Sequence, residues 1–166
     1  MGTTEDLQAA FAGESQANRK YLAFAKKAEK EGFAQVGKLF RAVARAETIH
    51  AHSHLNVLDG VQGTATNLKE SIAGEHHEFT EMYPGFIATA EAEGNKKAIR
   101  SMTNAMEVEK VHHDLFGQAL AAIESGKDLE GMSVYLCPVC GHVEFGTPPA
   151  NCPVCNVKGE KYMTVS

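Results

Sequence analysis

The chain has 166 residues, a formal net charge of −5 and 43% hydrophobic residues, enough for one medium core and a small appendage but not for two full-sized domains. Its Lys and Arg residues are scattered rather than clustered, which argues against nucleic-acid and anionic-membrane partners. No apolar run approaches the roughly 20 residues that cross a bilayer. Met1-Gly2-Thr3-Thr4-Glu5-Asp6 lacks both a basic start before an apolar stretch and the Ser or Thr of a myristoylation signal, so a cytoplasmic protein is expected.

From Thr4 to about Ser125 the chain reads as four long helices, punctuated at Gly32, at Gly60 with Gly63, and at Gly94. Apolar residues recur at steps of three and four. The first helix carries Leu7, Phe11, Tyr21 and Ala25, and the second Val36, Phe40, Val43, Val57 and Leu58. The third carries Leu68, Ile72, Phe79, Met82 and Phe86, and the fourth Ile99, Met102, Met106, Phe116, Leu120 and Ile123. Four amphipathic helices predict an all-α four-helix bundle over residues 1–130. Beyond Gly126 and Gly131 the period is lost, four prolines appear (Pro138, Pro148, Pro149, Pro153), and a second, small domain is expected over 131–166.

The helical part repeats itself. Phe11-Ala12-Gly13-Glu14 returns as Ile72-Ala73-Gly74-Glu75, and Glu47-x-x-His50 returns as Glu109-x-x-His112. Gly32 precedes Glu47 by the same interval as Gly94 precedes Glu109, so two helical hairpins related by a pseudo-twofold are predicted, with a site on that axis.

That site is marked by carboxylates where a core is expected. Glu14 lies on the apolar stripe between Phe11 and Tyr21, Glu47 and His50 continue the stripe of Val36, Phe40 and Val43, and Glu75, Glu109 and His112 are placed alike. An unpaired buried carboxylate costs several kcal/mol, and a group of them facing one another would repel, so cations are required. The i, i+3 spacing of Glu-x-x-His puts carboxylate and imidazole on one helical face, and two such pairs with two further glutamates suit a dinuclear iron or manganese centre. One Glu-x-x-His alone is usually a solvated helical pair; two in register with a repeated Ala-Gly-Glu are not. His52, His76, His77 and His113 read as surface residues, while His54, one turn beyond His50 on the same face, is the rival ligand or supporting group.

All four cysteines form two C-x-x-C pairs, Cys137 with Cys140 and Cys152 with Cys155. They predict a tetrahedral thiolate metal site, zinc or iron, in a reducing compartment.

With Ala-Gly-Glu14, Glu47-x-x-His50, Gly-Glu75-His-His-Glu78, Glu81-Met82-Tyr83-Pro84, Glu109-x-x-His112 and the paired C-x-x-C in this order, nearly the whole chain resembles the rubrerythrin family. The resemblance implies a ferritin-like bundle binding two irons through Glu14, Glu47, His50, Glu75, Glu78, Glu109 and His112, and a rubredoxin-like domain holding one iron, or zinc, on Cys137, Cys140, Cys152 and Cys155. In the family, one iron moves from the residue matching His50 to the one matching Glu78 on oxidation. Glu78 has no counterpart in the repeat, where Ala17 stands. Tyr21 and Tyr83 match tyrosines that donate hydrogen bonds to the carboxylates.

The activity implied is reduction of hydrogen peroxide to water in oxidative-stress defence. Electrons would pass through the cysteine site from NAD(P)H by way of a separate reductase or rubredoxin, since no dinucleotide-binding Gly-x-Gly-x-x-Gly is present. The alternative is a ferritin-like iron-binding protein with ferroxidase activity.

Two geometric expectations complete the reading. Tyr83 follows Glu75 by eight residues where Tyr21 follows Glu14 by seven, which predicts a π-type bulge near Pro84. The connection at Gly60 to Gly63 is too short to run back along a helix about 40 Å long, so a homodimer that exchanges hairpins is expected, with a plain up-down-up-down bundle as the alternative. In such a dimer the cysteine site of one chain is expected to approach the other chain's di-iron site.

Overall fold

The computed structural model describes residues 2–165. It consists of a four-helix all-α part followed by a small three-stranded part that carries the cysteines. The helices are α1 (Thr3–Lys30), α2 (Ala34–Val57), a rod of α3 (Thr64–His77) and α4 (Tyr83–Ala92) joined by one π-helical segment (Glu78–Met82), and α5 (Lys96–Glu124). Among the described residues no helix is long and apolar enough to cross a membrane.

The helix ends follow from local chemistry. Gly32 and Gly94 adopt φ of +89° and +68°, the left-handed conformation that closes a helix and that a Cβ disfavours. Asn95 then caps α5, its side-chain oxygen accepting from the Ala98 amide at 3.2 Å. α2 stops at Val57, so the connection to α3 is residues 58–63, slightly longer than the glycines alone suggest.

Two compact units are present, one up to Gln62 and the other from Gly63 onward. In the first, α1 and α2 form a hairpin packed through small residues: Ala25, Ala28, Ala44 and Ala51 are buried, and a Cβ on Gly37 would come within 2.7 Å of Glu29 Cγ. The buried Asn18 stitches the helices, its amide donating to the Ala44 carbonyl at 2.6 Å and to Thr48 Oγ1 at 2.8 Å. Tyr21, Phe24 and Phe40 form an aromatic cluster beside it.

In the second unit the α3–α4 rod packs on α5. The predicted bulge is present and it contains Glu78: the Tyr83 amide donates five residues back, to the Glu78 carbonyl. Pro84 supplies the reason. It has no N–H, and in an unbroken α-helix its ring would press on the carbonyl four residues earlier, which the wider turn relieves.

The strands β1 (Val134–Leu136), β2 (Val143–Phe145) and β3 (Met163–Val165) make an antiparallel sheet in the order β2-β1-β3. β2 lies against α5. Val108, on α5, is almost wholly buried, and its side chain lies near Gly141 in the loop between β1 and β2.

Candidate metal centres

The i, i+3 spacing does what helix geometry requires of it. In the first unit Glu14 from α1 meets Glu47 and His50 from α2, with ligand atoms within 4.8 Å of one another. His50 Nδ1 stands 3.1 Å from Glu47 Oε2. The Glu14 carboxyl is held above its ordinary value, first by sharing a proton with Glu47 and then by burial, while His50 and His54 pull it down. His54 lies near enough to act on Glu14 but is not a member of the convergent trio.

In the second unit Glu75 from α3 meets Glu109 and His112 from α5 within the same 4.8 Å limit. His112 Nδ1 lies 2.8 Å from Glu109 Oε2 and 3.7 Å from Glu75 Oε2. Burial, then the neighbouring Glu109, raises Glu75, and Glu75 Oε2 is buried without a hydrogen bond. An orphaned carboxylate oxygen beside a second carboxylate and an imidazole is the environment a cation relieves. The donor set of hard oxygens with one imidazole per trio suits a divalent first-row metal in each half.

Glu78 stands close by but outside that trio. Burial raises it first, then the charge of Glu75, with His112 and His77 opposing. Tyr83 faces the same carboxylates, since burial and the charges of Glu109, Glu78 and Glu75 all push its hydroxyl up and keep it a proton donor. Tyr21 differs: its ring packs on Phe24 and Phe40, and no hydrogen bond of its hydroxyl occurs among the described residues.

Of the other histidines, His77 pairs with Glu81 at 3.5 Å, His52 is exposed, and His76 and His113 meet through their rings.

The four cysteines converge in the small domain. Cys137 Sγ lies 3.6 Å from Cys155 Sγ, and Cys140 Sγ lies 3.5 Å from Cys152 Sγ. Metal–sulfur bonds of about 2.3 Å in a tetrahedron place sulfurs about 3.8 Å apart, so the cage is nearly the right size already. Backbone amides turn inward as the C-x-x-C knuckle requires. Burial pushes the Cys152 thiol up, but the amides of Cys155 and Val154 and the Tyr162 hydroxyl bring it down to about 6. Burial raises Cys140 in spite of a backbone hydrogen bond at His142. In such a cage a cation would carry the thiolate charge that protons share here.

Two groups near the cysteines escaped the sequence reading. His142 is buried, lowered by that burial, and its Nδ1 lies 3.1 Å from the Tyr162 hydroxyl. The position of His142 directly after Cys140-Gly141 was the available signal; nothing local marks Tyr162. A third feature links the centres: His112 Nε2 lies 3.1 Å from the Gly141 carbonyl oxygen. The loop after Cys140 thus meets His112 of the same chain's α5.

A carboxylate–histidine trio in each unit and a four-cysteine cage in the second mark this chain as a metalloprotein with carboxylate–histidine and thiolate metal sites. The family model described as rubrerythrin matches residues 5–120, and the one described as the rubrerythrin rubredoxin-like domain matches 135–163. Rubrerythrin-2 of Clostridium acetobutylicum is 36% identical over 174 residues, covering 96% of this chain and 95% of that protein. Nigerythrin of Nitratidesulfovibrio vulgaris is 35% identical, covering 92% and 81%. A solved structure of nigerythrin in its fully reduced, all-ferrous state is similar with a TM-score of 0.60 at 33% identity, covering 99% of this chain and 88% of that one. The chain belongs to the rubrerythrin family.

Proposed function

We propose that this protein is a peroxidase that reduces hydrogen peroxide to water at two irons held by Glu14, Glu47, His50, Glu75, Glu78, Glu109 and His112. Its electrons would arrive through a single iron on Cys137, Cys140, Cys152 and Cys155. The observation that carries this reading is the hydrogen-bond distance between His112 and Gly141, which ties a ligand of the first centre to the residue after a ligand of the second. All-ferrous nigerythrin, similar over most of both chains, supports iron as the metal.

When bound, the irons would supply the two electrons that peroxide reduction consumes and take them back one at a time. The chain's own residues do the rest. In this reading the two trios, each convergent within its own unit, would together offer six ligands from four helical segments and leave positions for a small oxidant. Glu78, offered by the π-helical segment, and His50 are alternative ligands of different hardness, which lets the ligand set follow the metal's charge. Tyr83, kept protonated by burial and by the charges of Glu109, Glu78 and Glu75, would be the proton donor for an oxygen that gains charge.

The domains are residues 1–130 and 131–166, and the electron donor is a separate reductase or rubredoxin of the cytoplasm. We place the active centre in a hairpin-exchanged homodimer, because six connecting residues, 58–63, reach at most about 22 Å while α2, with 24 residues, is about 36 Å long.

The test mixes anaerobically reduced, iron-loaded protein with excess hydrogen peroxide in a stopped-flow spectrometer, since the three ferrous irons of a chain release three electrons and each peroxide accepts two. Oxidation of both centres within seconds, far faster than in air-saturated buffer, is expected. A ferrous protein indifferent to peroxide that instead accumulates ferric mineral from added iron would replace this reading with ferroxidase storage.

A further inference from the structure

A second pair of imidazoles lies outside both centres. His76 on α3 and His113 on α5 have ring centroids 5.8 Å apart with their planes tilted by 48°. Each follows a member of the inner trio in sequence, Glu75 and His112, and the 100° or so that a helix turns per residue carries it to the neighbouring flank of its helix. Phe79 meets both rings edge-on, at 5.2 Å from His76 and 5.6 Å from His113, and holds them side by side.

The spacing can be compared with what a shared ion demands. A metal–nitrogen bond of about 2.0–2.1 Å plus about 1.1 Å from nitrogen to ring centre puts each centroid about 3.2 Å from the ion. Centroids 5.8 Å apart then subtend about 130° at the ion, and a tetrahedral angle would need them only about 0.6 Å closer. One nitrogen of His113 is already engaged. Its Nδ1 lies 3.1 Å from Asp114 Oδ1, which leaves Nε2 for the metal, the arrangement by which a carboxylate fixes the tautomer of a ligating histidine. Asp114 is exposed, so water can complete the coordination.

The geometry points to a surface site for a borderline transition-metal cation, zinc for choice, bridging α3 and α5 through His76 and His113. Such an ion clamps together the two helices that carry Glu75, Glu109 and His112, from the flank next to the one that bears those ligands. The site does not depend on which metals fill the two inner centres.

Holoprotein with both inner centres filled is titrated with zinc by calorimetry, and zinc-soaked crystals are measured at the zinc edge. One extra equivalent is expected, with an anomalous peak about 2.0–2.1 Å from His113 Nε2 and from an imidazole nitrogen of His76. His76→Phe and His113→Phe keep a ring against Phe79 and remove the nitrogens, and each should weaken this equivalent at least tenfold; Asp114→Asn should weaken it less. The proposal is overturned by zinc binding of the Phe variants equal to that of the unsubstituted protein, or by a peak found only at other histidines. A protein that binds no extra zinc would leave His76, Phe79 and His113 as ring packing alone, and would likewise overturn it.

Discussion

His112 bridges the two candidate centres: its Nδ1 faces Glu109 at 2.8 Å while its Nε2 reaches the Gly141 carbonyl at 3.1 Å. Nδ1 is thereby left to the metal and Nε2 to a backbone acceptor in the loop between β1 and β2. The position of that acceptor depends on the cysteine cage, because Gly141 directly follows Cys140 and adopts φ of +91°. Cys140→Ser should loosen the knuckle and release the carbonyl. Outer partners of a ligating histidine are worth 10–100-fold in metal affinity, so metal affinity at the glutamate and histidine centre should fall by about tenfold or more. A chelator competition read at that centre measures it, and an unchanged affinity would show that the bond does not orient His112.

The two tyrosines should separate. Tyr83 feels Glu109, Glu78 and Glu75, whereas Tyr21 packs on Phe24 and Phe40. Tyr83→Phe is expected to slow peroxide-driven oxidation by about tenfold or more, in line with the loss of a positioned proton donor. Tyr21→Phe should leave that rate within about twofold. Single-turnover rates of the two variants, with circular dichroism to verify folding, decide the matter; equal effects would remove the distinction.

Much of this architecture is written in local spacing. Glu47 with His50 and Glu109 with His112 converge because residues three apart share a helical face, and the one-residue difference between Glu14–Tyr21 and Glu75–Tyr83 located the π-helical segment. The C-x-x-C pairs marked the thiolate cage through a different local geometry, a tight turn that brings cysteines three apart together. What escaped is non-local. Gly141 is 29 residues from His112, and Tyr162 is 20 from His142, and no periodicity reports which loop a small sheet will lay on which helix. Asn18 escaped differently. Its bonds to Ala44 and Thr48 cross the hairpin, so a polar residue at a buried position looked like an ordinary surface asparagine in the α1 pattern.

The metal-free protein should lose stability as pH rises from acid toward neutral. Burial and then Glu109 raise Glu75 above its ordinary value of 4.5, so the folded state binds a proton that the unfolded state has released. The stabilisation is fully present below 4.5 and disappears as pH climbs through the raised value in the fold. Glu75→Gln, which cannot ionise, should flatten this fall and melt higher than the metal-free parent at pH 7. Metal-loaded protein should show the reverse trend, because the ion competes with protons for the same oxygens. Melting curves of the metal-free and loaded forms between pH 4.5 and 7 test both signs, and a metal-free parent most stable at pH 7 would contradict the assignment.

Hairpin exchange makes a prediction that no intact-chain arrangement shares. If α1 and α2 of one protomer complete the centre on α3 and α5 of its partner, then mixing Glu47→Ala with Glu109→Ala chains creates two unequal centres in each mixed dimer. One combines the Glu47→Ala hairpin with the Glu109→Ala helices and carries both lesions. The other joins an unaltered hairpin to unaltered helices and carries none. Refolding the two variants together at equal concentration should yield half of the dimers mixed, and so about a quarter of all centres intact, a statistical expectation for symmetric dimers. Each variant alone should show almost no peroxide turnover, while the mixture recovers about a quarter of the parent's. In a dimer of intact bundles every centre keeps one lesion and the mixture stays inactive, so recovery of activity on co-refolding, read against each variant refolded alone, separates the two topologies.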